Sequence, residues 1–403
     1  MRSSRMTALG AGAALILALG ACAGEGAGSG GGDTDVDTDV DTDTDTDTDT
    51  DTDADAEDPG DLTAGVAMPT QTYERWINDA NNVQEGLEEA GYNVDLQFAN
   101  DDIPTQQQQL DTMIGNEVDV LIVASIDGTA LTGQLQAAAD AGIPVIAYDR
   151  LLTESPNVDF YVTFDNYSVG VAQANSILHG LGLVDDDLEP VDDAPEGPFN
   201  IELFAGSPDD NNAHFFFDGA MDTLEPYFDD GTLEVPSGQT DFGQVAIQRW
   251  EQETAQERME NLLTTHYSGD DELHAVLAPA DPLSRGIITA LRNDGWGPTI
   301  DEGMPVVSGQ DAEIASVSLI DQGIQYSTIF KDTRLLADQA VAAAQAFLEG
   351  SEPEANDTET YDNGQIVVPS YLLDIEMVLQ DNITEALVDT GYYTQEQVDS
   401  GQA

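Results

Sequence analysis

The sequence is poor in cysteine and in basic residues, and each scarcity excludes a class of site. One cysteine, Cys22, permits neither an intramolecular disulfide nor a metal site built from several thiolates. Ten lysines and arginines stand against 79 aspartates and glutamates, which gives a formal net charge of -69 over 403 residues. A chain this acidic repels nucleic acid and anionic membrane surfaces, so neither is predicted as a partner.

The acidic surplus is partly concentrated in residues 33–58, which are mostly an alternation of Asp and Thr. This segment has no hydrophobic period and cannot bury a core, so it is predicted to be an extended, solvated spacer. A calcium loop is the alternative, but the glycine and the terminal glutamate of an EF-hand loop are missing. The other acidic residues are spread along the chain. This fits either a high-salt habitat, where ions screen self-repulsion, or compositional drift.

The first residues have the features of a bacterial export signal. Arg2 and Arg5 form a basic start, and residues 11–19 form an apolar run that is too short to span a bilayer. The Leu-Gly-Ala-Cys of residues 19–22 resembles a lipobox, which implies cleavage before Cys22 and acylation of that cysteine. An ordinary signal peptide with an incidental cysteine is the alternative. The lipobox interpretation predicts an extracytoplasmic protein that only a lipid anchor attaches to the cell membrane.

Beyond residue 62, short apolar runs alternate with longer amphipathic stretches. Residues 118–123 and 144–148 have the pattern of buried strands, and residues 131–141 between them have the pattern of a helix. Further apolar runs occur at residues 199–204, 275–277, 305–307 and 325–330. Strands that alternate with helices form parallel sheets. The sequence therefore predicts an α/β fold, and its length predicts two lobes.

Polar residues follow almost every predicted strand. Ligands of open α/β sheets bind outside the carboxyl ends of the strands, so these positions are candidates for a site. Lys331, the only lysine of the chain, is one of them, although it could also be a surface residue without a function. Carboxylates, amides, guanidinium groups and an indole suit a small polyol ring, with hydroxyls on its rim and C–H groups on its faces. The residues at these positions include Arg75, Trp76, Asp127, Asp149, Arg150, Asp210, Asn212, Asp281, Gln310, Asp311 and Lys331.

Eight segments, spread over nearly the whole chain beyond residue 62, carry a resemblance to a known family. They are GVAMPT with ERW (residues 65–76), ASIDGT (124–129), VIAYDRL (145–151), FDN (164–166), NIELFAGSPDDNNAHFFFDGAM (200–221), SGQDAE (308–313), YSTIFKDTR (326–334) and VPSYLL (368–373). In these segments the chain resembles the sugar-binding proteins of the xylose and multiple-monosaccharide ABC importers. That family belongs to the ribose-binding-like type I class of periplasmic binding proteins.

The resemblance implies a role for each matching residue. Seven side chains would hydrogen-bond the sugar: Arg75, Asp149, Arg150, Asp210, Asn212, Asp311 and Lys331. Two indoles, Trp76 and Trp250, would stack on its faces, and a core aromatic is the alternative for Trp250. The chain departs from its relatives at the entrance loop, residues 69–74, which lacks a lysine, and at Ala280, where a polar or aromatic residue is common. The choice among xylose, glucose, galactose and arabinose therefore remains open.

The resemblance also implies a division of the chain. Residues 1–22 would be the signal peptide and 23–61 the linker, residues 62–165 with 332–369 the N-terminal lobe, and residues 166–331 with 370–403 the C-terminal lobe. The two Rossmann-like lobes would be joined by a three-strand hinge near Asp165, Lys331 and Ser370 and would close over the sugar. The implied partners are a monosaccharide and the permease of an ABC importer. The implied protein is a monomer without catalytic residues, metal or cofactor.

Three other functions use similar residues. A glycosidase needs an acid in an apolar setting, whereas the candidate carboxylates adjoin Arg150 or Lys331, which favours their ionised form. A repressor of the same fold would need DNA-binding helices and basic charge at its start, where this chain has an export signal and an acidic spacer. A sugar chemoreceptor would bind the same ligand and differ only in its output, so it remains open beside import.

Overall fold

A computed structural model describes residues 58–269 and 271–403. The predicted signal peptide with Cys22, and almost all of the predicted linker, lie outside these residues. In the part of the chain that the structure describes, the helices are too short or too polar to cross a bilayer.

The strands of the described residues are β1 (Thr63–Met68), β2 (Asn93–Phe98), β3 (Val120–Val123), β4 (Val145–Tyr148), β5 (Phe160–Phe164), β6 (Phe199–Leu203), β7 (Leu233–Glu234), β8 (Ala275–Leu277), β9 (Val306–Val307), β10 (Thr328–Phe330), β11 (Ser370–Leu373) and β12 (Glu376–Val378). The α-helices are α1 (Glu74–Glu89), α2 (Ile103–Gly115), α3 (Thr132–Ala141), α4 (Asn166–Gly180), α5 (Asn211–Asp229), α6 (Phe242–Val245), α7 (Gln252–His266), α8 (Asp281–Asp294), α9 (Ile314–Asp321), α10 (Thr333–Leu348) and α11 (Gln395–Ser400). Short 3-10 turns occur at Pro59–Asp61, Gln248–Trp250 and Ile300–Glu302, and a π-helical turn at Thr384–Val388.

The strands form two parallel sheets and one antiparallel pair. The first sheet has the order β11-β5-β4-β3-β1-β2, and the second has the order β7-β6-β8-β9. All neighbours within these two sheets are parallel. The remaining two strands, β10 and β12, pair antiparallel. The predicted α/β fold with parallel sheets is confirmed.

The inner strands β3, β4 and β5 of the first sheet are buried on both faces, and β3 shows how the sequence achieves this. Val120 and Ile122 pack with residues of α1 and α10, while Leu121 and Val123 pack with residues of α2 and α3. Successive residues of a strand point to opposite faces of the sheet. An unbroken apolar run is therefore what a strand between two helical layers requires, and this is the pattern that predicted β3.

Aspartates are the N-cap residues of several helices that follow the strands. Asp165, Asp210 and Asp332 precede α4, α5 and α10, and each side chain accepts a hydrogen bond from a backbone N–H of the first turn. An N-cap of this kind stabilises a helix by about 1 kcal/mol. Part of the acidic composition therefore has a structural role, and two of these caps lie where the chain passes between the sheets.

The chain passes between the two sheets at three points. It leaves the first sheet after β5, at Asp165, and returns to it after β10, at Lys331. The third crossing differs from the predicted one near Ser370. Ser370–Leu373 pairs with β5 as an edge strand of the first sheet, so the prediction that residues 370–403 lie in the C-terminal lobe is wrong for these four residues. The crossing instead falls between β11 and β12.

Candidate functional site

The carboxyl ends of strands in both sheets contribute polar side chains to one region. On the side of the first sheet these residues are Arg75 and Trp76, in the first turn of α1 after β1, and Asp149 and Arg150, directly after β4. On the side of the second sheet they are Asp210 and Asn212 at the start of α5, Trp250 before α7, Asp311 between β9 and α9, and Lys331 after β10.

All nine residues predicted to bind a ligand line one cavity. The space that protein atoms leave free there is about 480 Å³, part of it open to solvent. The structure brings the nine side chains together, and their contacts with a ligand stay a prediction. The other lining residues are Tyr73, Phe216, Ala280, Pro282, Gln310 and Glu313.

Arg75 lies at the centre of a buried cluster of charges. Its Nη2 is 2.9 Å from Asp149 Oδ1 and 3.0 Å from Asp79 Oδ2. Its Nη1 is 3.5 Å from Asp311 Oδ1, and Lys331 Nζ is 2.9 Å from the same oxygen. Burial opposes ionisation of Asp149, but the nearby Arg75 and Lys331 outweigh it and lower the pKa of this carboxyl below its usual value. Asp149 is therefore ionised and can accept hydrogen bonds from hydroxyl groups.

A second ion pair joins residues that follow strands of different sheets. Arg150 Nε lies 3.1 Å from Asp210 Oδ2, and Arg150 Nη1 donates to the carbonyl oxygen of Ser125 at 3.0 Å. Burial raises the pKa of Asp210, while Arg150 acts in the opposite direction. Asn212 Nδ2 donates to the backbone oxygen of Asp149. The start of α5 is thereby fixed against the end of β4.

Two indole rings line the cavity, one from each side. Cζ of Arg75 and Cζ of Arg150 lie 4.4 and 5.0 Å from the ring centroid of Trp76, so this ring already contacts two cations. Trp250 and the preceding Arg249 have left-handed backbones, with φ of 58° and 57°. The buried Nε1 of Trp250 has no hydrogen-bond partner within residues 58–269 and 271–403. Its N–H is therefore free to donate to a bound molecule.

A family model described as a periplasmic binding protein domain matches residues 64–352. The chain belongs to the periplasmic binding protein family. Its relatives are receptors and not enzymes, which confirms the prediction that this protein is not an enzyme.

The relatives of this periplasmic binding protein include receptors for sugars. The multiple sugar-binding periplasmic receptor ChvE of Rhizobium radiobacter is 53% identical over 336 residues, which are 83% of this chain and 92% of the relative. The D-xylose-binding periplasmic protein of Escherichia coli is 34% identical over 338 residues, 84% of this chain and 93% of the relative. A solved ABC transporter solute binding protein from Clostridium phytofermentans, with bound β-D-glucose, is 44% identical. It superposes with a TM-score of 0.78 and covers 83% of this chain and 99% of that one. The predicted resemblance to xylose- and multiple-sugar-binding proteins is confirmed.

The position of Trp250 in this periplasmic binding protein depends on a glycine. A Cβ atom on Gly206 would lie 2.0 Å from Trp250 Cη2, so only a residue without a side chain lets the indole occupy its place. On another side, the ring of Phe216 meets the indole edge-on, with centroids 6.3 Å apart. Trp250 was not predicted from periodicity because its turn has no regular period, and its close approach to Gly206 has no local sequence signal.

We expect Gly206→Ala to destabilise the protein by about 1–3 kcal/mol, because the new methyl group overpacks the site of the Trp250 ring. The free energy of unfolding in urea measures this effect. Gly243→Ala is the matched control, because a Cβ there meets no other atom within 4 Å. Equal stabilities of the two variants would show that the indole yields without strain.

Asp281 lies behind the cavity wall, fully buried at the start of α8. Its Oδ2 accepts hydrogen bonds from Glu313 N at 2.9 Å and Thr328 Oγ1 at 3.1 Å, and its Oδ1 accepts one from Gln325 Nε2 at 2.9 Å. It therefore connects α8 to the start of α9 and to β10, the strand before Lys331. Burial raises the pKa of Asp281 to about 8. Burial therefore favours the neutral form of this carboxyl.

The raised pKa of Asp281 implies a pH-dependent stability. The folded protein holds this proton up to about pH 8, whereas the unfolded chain releases it near the ordinary value of 3.8. The folded state therefore binds more protons in this window, and the stabilisation that they provide is lost as the pH rises from about 4 to about 8. We expect Asp281→Asn, which cannot ionise, to remove on the order of 3 kcal/mol of this decrease.

Urea unfolding at about pH 5 and about pH 8 measures the change for Asp281→Asn. Asp218→Asn is the control, because Asp218 is an exposed carboxylate on α5. If the parent and Asp281→Asn lost stability equally with rising pH, Asp281 would not be the group responsible.

Among the other lining residues, Gln310 was a candidate from its strand-end position and Ala280 was a departure from the family pattern, whereas Tyr73, Phe216, Pro282 and Glu313 were not predicted. Tyr73 donates from its hydroxyl to the backbone oxygen of Trp250 at 3.2 Å, and its position beside Arg75 was the available signal. Gln310 and Glu313 flank Asp311 within one segment of the family resemblance. The other three residues, Phe216, Ala280 and Pro282, are apolar and carry no chemical signal. Among the described residues, no three His, Cys, Asp or Glu side chains are grouped to hold a metal ion.

Proposed function

We propose that this chain binds a monosaccharide in the cavity between its two lobes and delivers it to an ABC importer. The observation that carries the proposal is the composition of the cavity, where carboxylates, cations, an amide and two indoles converge from both sheets. An aldopyranose has hydroxyls for the polar groups and C–H faces for the rings. The site residues we propose are Arg75, Trp76, Asp149, Arg150, Asp210, Asn212, Trp250, Asp311 and Lys331.

The relatives support an aldose as the ligand. Two of them are named for several sugars and for D-xylose, and the solved relative holds β-D-glucose. We propose D-xylose, D-glucose, D-galactose and L-arabinose as the candidate ligands. The buried N–H of Trp250, which has no hydrogen-bond partner within the described part of the chain, is suited to donate to their oxygens.

The contacts across the cleft support a mechanism in which the lobes close over the sugar. Arg249 Nη1 donates to the backbone oxygen of Asp101 at 2.9 Å, and Gly128 N donates to the backbone oxygen of Asp209 at 3.3 Å. These bonds, like that of Tyr73, join segments of different lobes and would break if the cleft opened. A ligand that contacts both lobes binds more tightly to the closed state than to the open state. Its binding therefore shifts the population towards the closed state.

A thermal-shift screen tests the proposed function. We expect at least one of the four aldoses to raise the melting temperature, because a ligand at about 100 times its Kd stabilises the folded state by about 2.7 kcal/mol. Arg150→Ala should abolish the shift, and measurements at low and high salt will separate ligand binding from screening of the acidic surface. A parent protein that responds to no aldose, or that hydrolyses aryl glycosides, would contradict the proposal.

We also propose that Cys22 carries a lipid anchor on the outer side of the membrane. The apolar run and the Leu-Gly-Ala-Cys sequence before the linker support it. We expect Cys22→Ser to prevent incorporation of a radiolabelled fatty acid and to remove the protein from the membrane fraction. Ser29→Ala, outside the Leu-Gly-Ala-Cys sequence, is the control. Equal labelling of Cys22→Ser and the parent would exclude this anchor.

A further inference from the structure

Gln310 has a side-chain oxygen that the described part of the chain leaves without a hydrogen bond. The side chain lines the cavity, only 3% of the residue is exposed, and Oε1 is buried without a partner. A buried carbonyl oxygen of this kind is unfavourable, and native proteins contain few of them. At the wall of a binding cavity, a ligand is the natural source of the missing donor.

The backbone around Gln310 is fixed on both sides. Asp281 N donates to the carbonyl oxygen of Gln310 at 3.0 Å, and the next residue, Asp311, donates from its N–H to Ile329 O at 2.9 Å. Before it, Gly309 has no room for a side chain, since a Cβ there would lie 2.2 Å from Asp281 Oδ1. A tightly packed segment therefore presents the amide to the cavity, and the segment cannot easily move to satisfy it.

Gln310 differs from the aspartates of the cavity because it is uncharged. Asp149, Asp210 and Asp311 are each within 3.1 Å of an Arg or Lys nitrogen, so their oxygens are shared with cations. Two further glutamines, Gln109 and Gln325, also have a buried side-chain oxygen without a partner in the described residues, but neither lines the cavity. Of these three described glutamines, only Gln310 has its unpaired oxygen at the proposed site.

We propose that Gln310 is a specificity-determining residue whose Oε1 accepts a hydrogen bond from one hydroxyl group of the bound monosaccharide. This inference rests on the proposed function. A sugar that lacks this hydroxyl leaves the amide oxygen unpaired inside the closed cleft and is rejected for that reason. The amide thus requires a hydroxyl group at one position of the ring. This selectivity adds to the affinity that the charged residues provide.

Isothermal titration calorimetry with D-glucose and its 2-, 3-, 4- and 6-deoxy derivatives tests the role of Gln310. The variant is Gln310→Met, which keeps the length of the side chain and removes the amide acceptor. We expect it to bind D-glucose about tenfold to a hundredfold more weakly than the parent. We also expect its preference for D-glucose over one deoxy derivative to fall to about parity, while its preference over the other three is kept.

Gln109→Met is the matched control, because Gln109 has the same unpaired oxygen away from the cavity, and it should bind all five sugars like the parent. Unfolding of the ligand-free variants checks that each one folds. Two results would overturn the role of Gln310: unchanged affinities in Gln310→Met, or an equal loss for all five sugars with every preference preserved. A parent that binds none of the five would overturn the proposed function and this inference together.

Discussion

Asp311→Ala is expected to weaken sugar binding about a thousandfold or more. Its Oδ1 lies 2.9 Å from Lys331 Nζ and 3.5 Å from Arg75 Nη1, so one carboxylate neutralises two buried cations. Without it the ammonium of Lys331 loses its ion-pair partner, and the sugar loses an ionised acceptor. Isothermal titration calorimetry with the aldose that the thermal-shift screen selects measures the affinity.

The backbone at Asp311 requires a second variant. Its φ is 90°, in a region where alanine is strained and asparagine is tolerated better. Asp311→Asn keeps the shape and removes only the charge, so it should also lose most of the affinity, and unfolding of the ligand-free variant checks that it folds. Asp218→Ala, at an exposed position on α5, is the control and should bind normally. Full affinity in Asp311→Asn would show that the charge at this position is not needed.

The largest effect on stability is expected for Arg75→Met, which should reduce the free energy of unfolding by about 3–5 kcal/mol. Arg75 is 8% exposed and lies among Asp79, Asp149 and Asp311, so its removal leaves three carboxylates without their shared cation. The loss should be smaller at about pH 5 than at about pH 8, because protonation relieves the repulsion. Urea unfolding at the two pH values measures both effects.

Arg292→Met is the matched control for Arg75→Met. Arg292 is exposed in the last turn of α8, and its contact in the structure is a 3.5 Å hydrogen bond to the carbonyl oxygen of Pro298. Surface changes of this kind alter stability by less than about 0.5 kcal/mol. If Arg75→Met were as stable as Arg292→Met, the prediction would be wrong, because the three carboxylates would not depend on Arg75 to neutralise their charge.

The parallel sheets could be predicted because their signal is local. An unbroken apolar run predicts β3, and the helix after it begins within ten residues. β11 has no such signal: Ser370–Leu373 is mostly half-buried, and its partner β5 lies about two hundred residues earlier in the chain. A strand that is defined by its partner and not by its own composition cannot be placed from its own residues, and the third crossing was misplaced for this reason.

The residues of the candidate site also divide into those that a local sequence signal predicts and those that it does not. Most of the site residues follow predicted strands, so the rule for parallel sheets placed them at one edge before any geometry was known. Trp250 lies in a short turn of left-handed residues and was placed only by the family resemblance. The raised pKa of Asp281 comes from its burial among segments that are distant in sequence, including residues 313 and 325–328. The chemistry of such a group becomes visible only when the fold assembles its surroundings.

The chain's single lysine allows the cleft to be probed by chemical modification. Lys331 carries the only side-chain amine of the protein, it is 4% exposed, and it is paired with Asp311 at the second crossing between the sheets. Under the proposed closure of the lobes, an amine-directed acylating reagent reaches Lys331 only in the open state. The rate at which Lys331 is modified would then measure how often the cleft opens, and no probe has to be engineered into the protein.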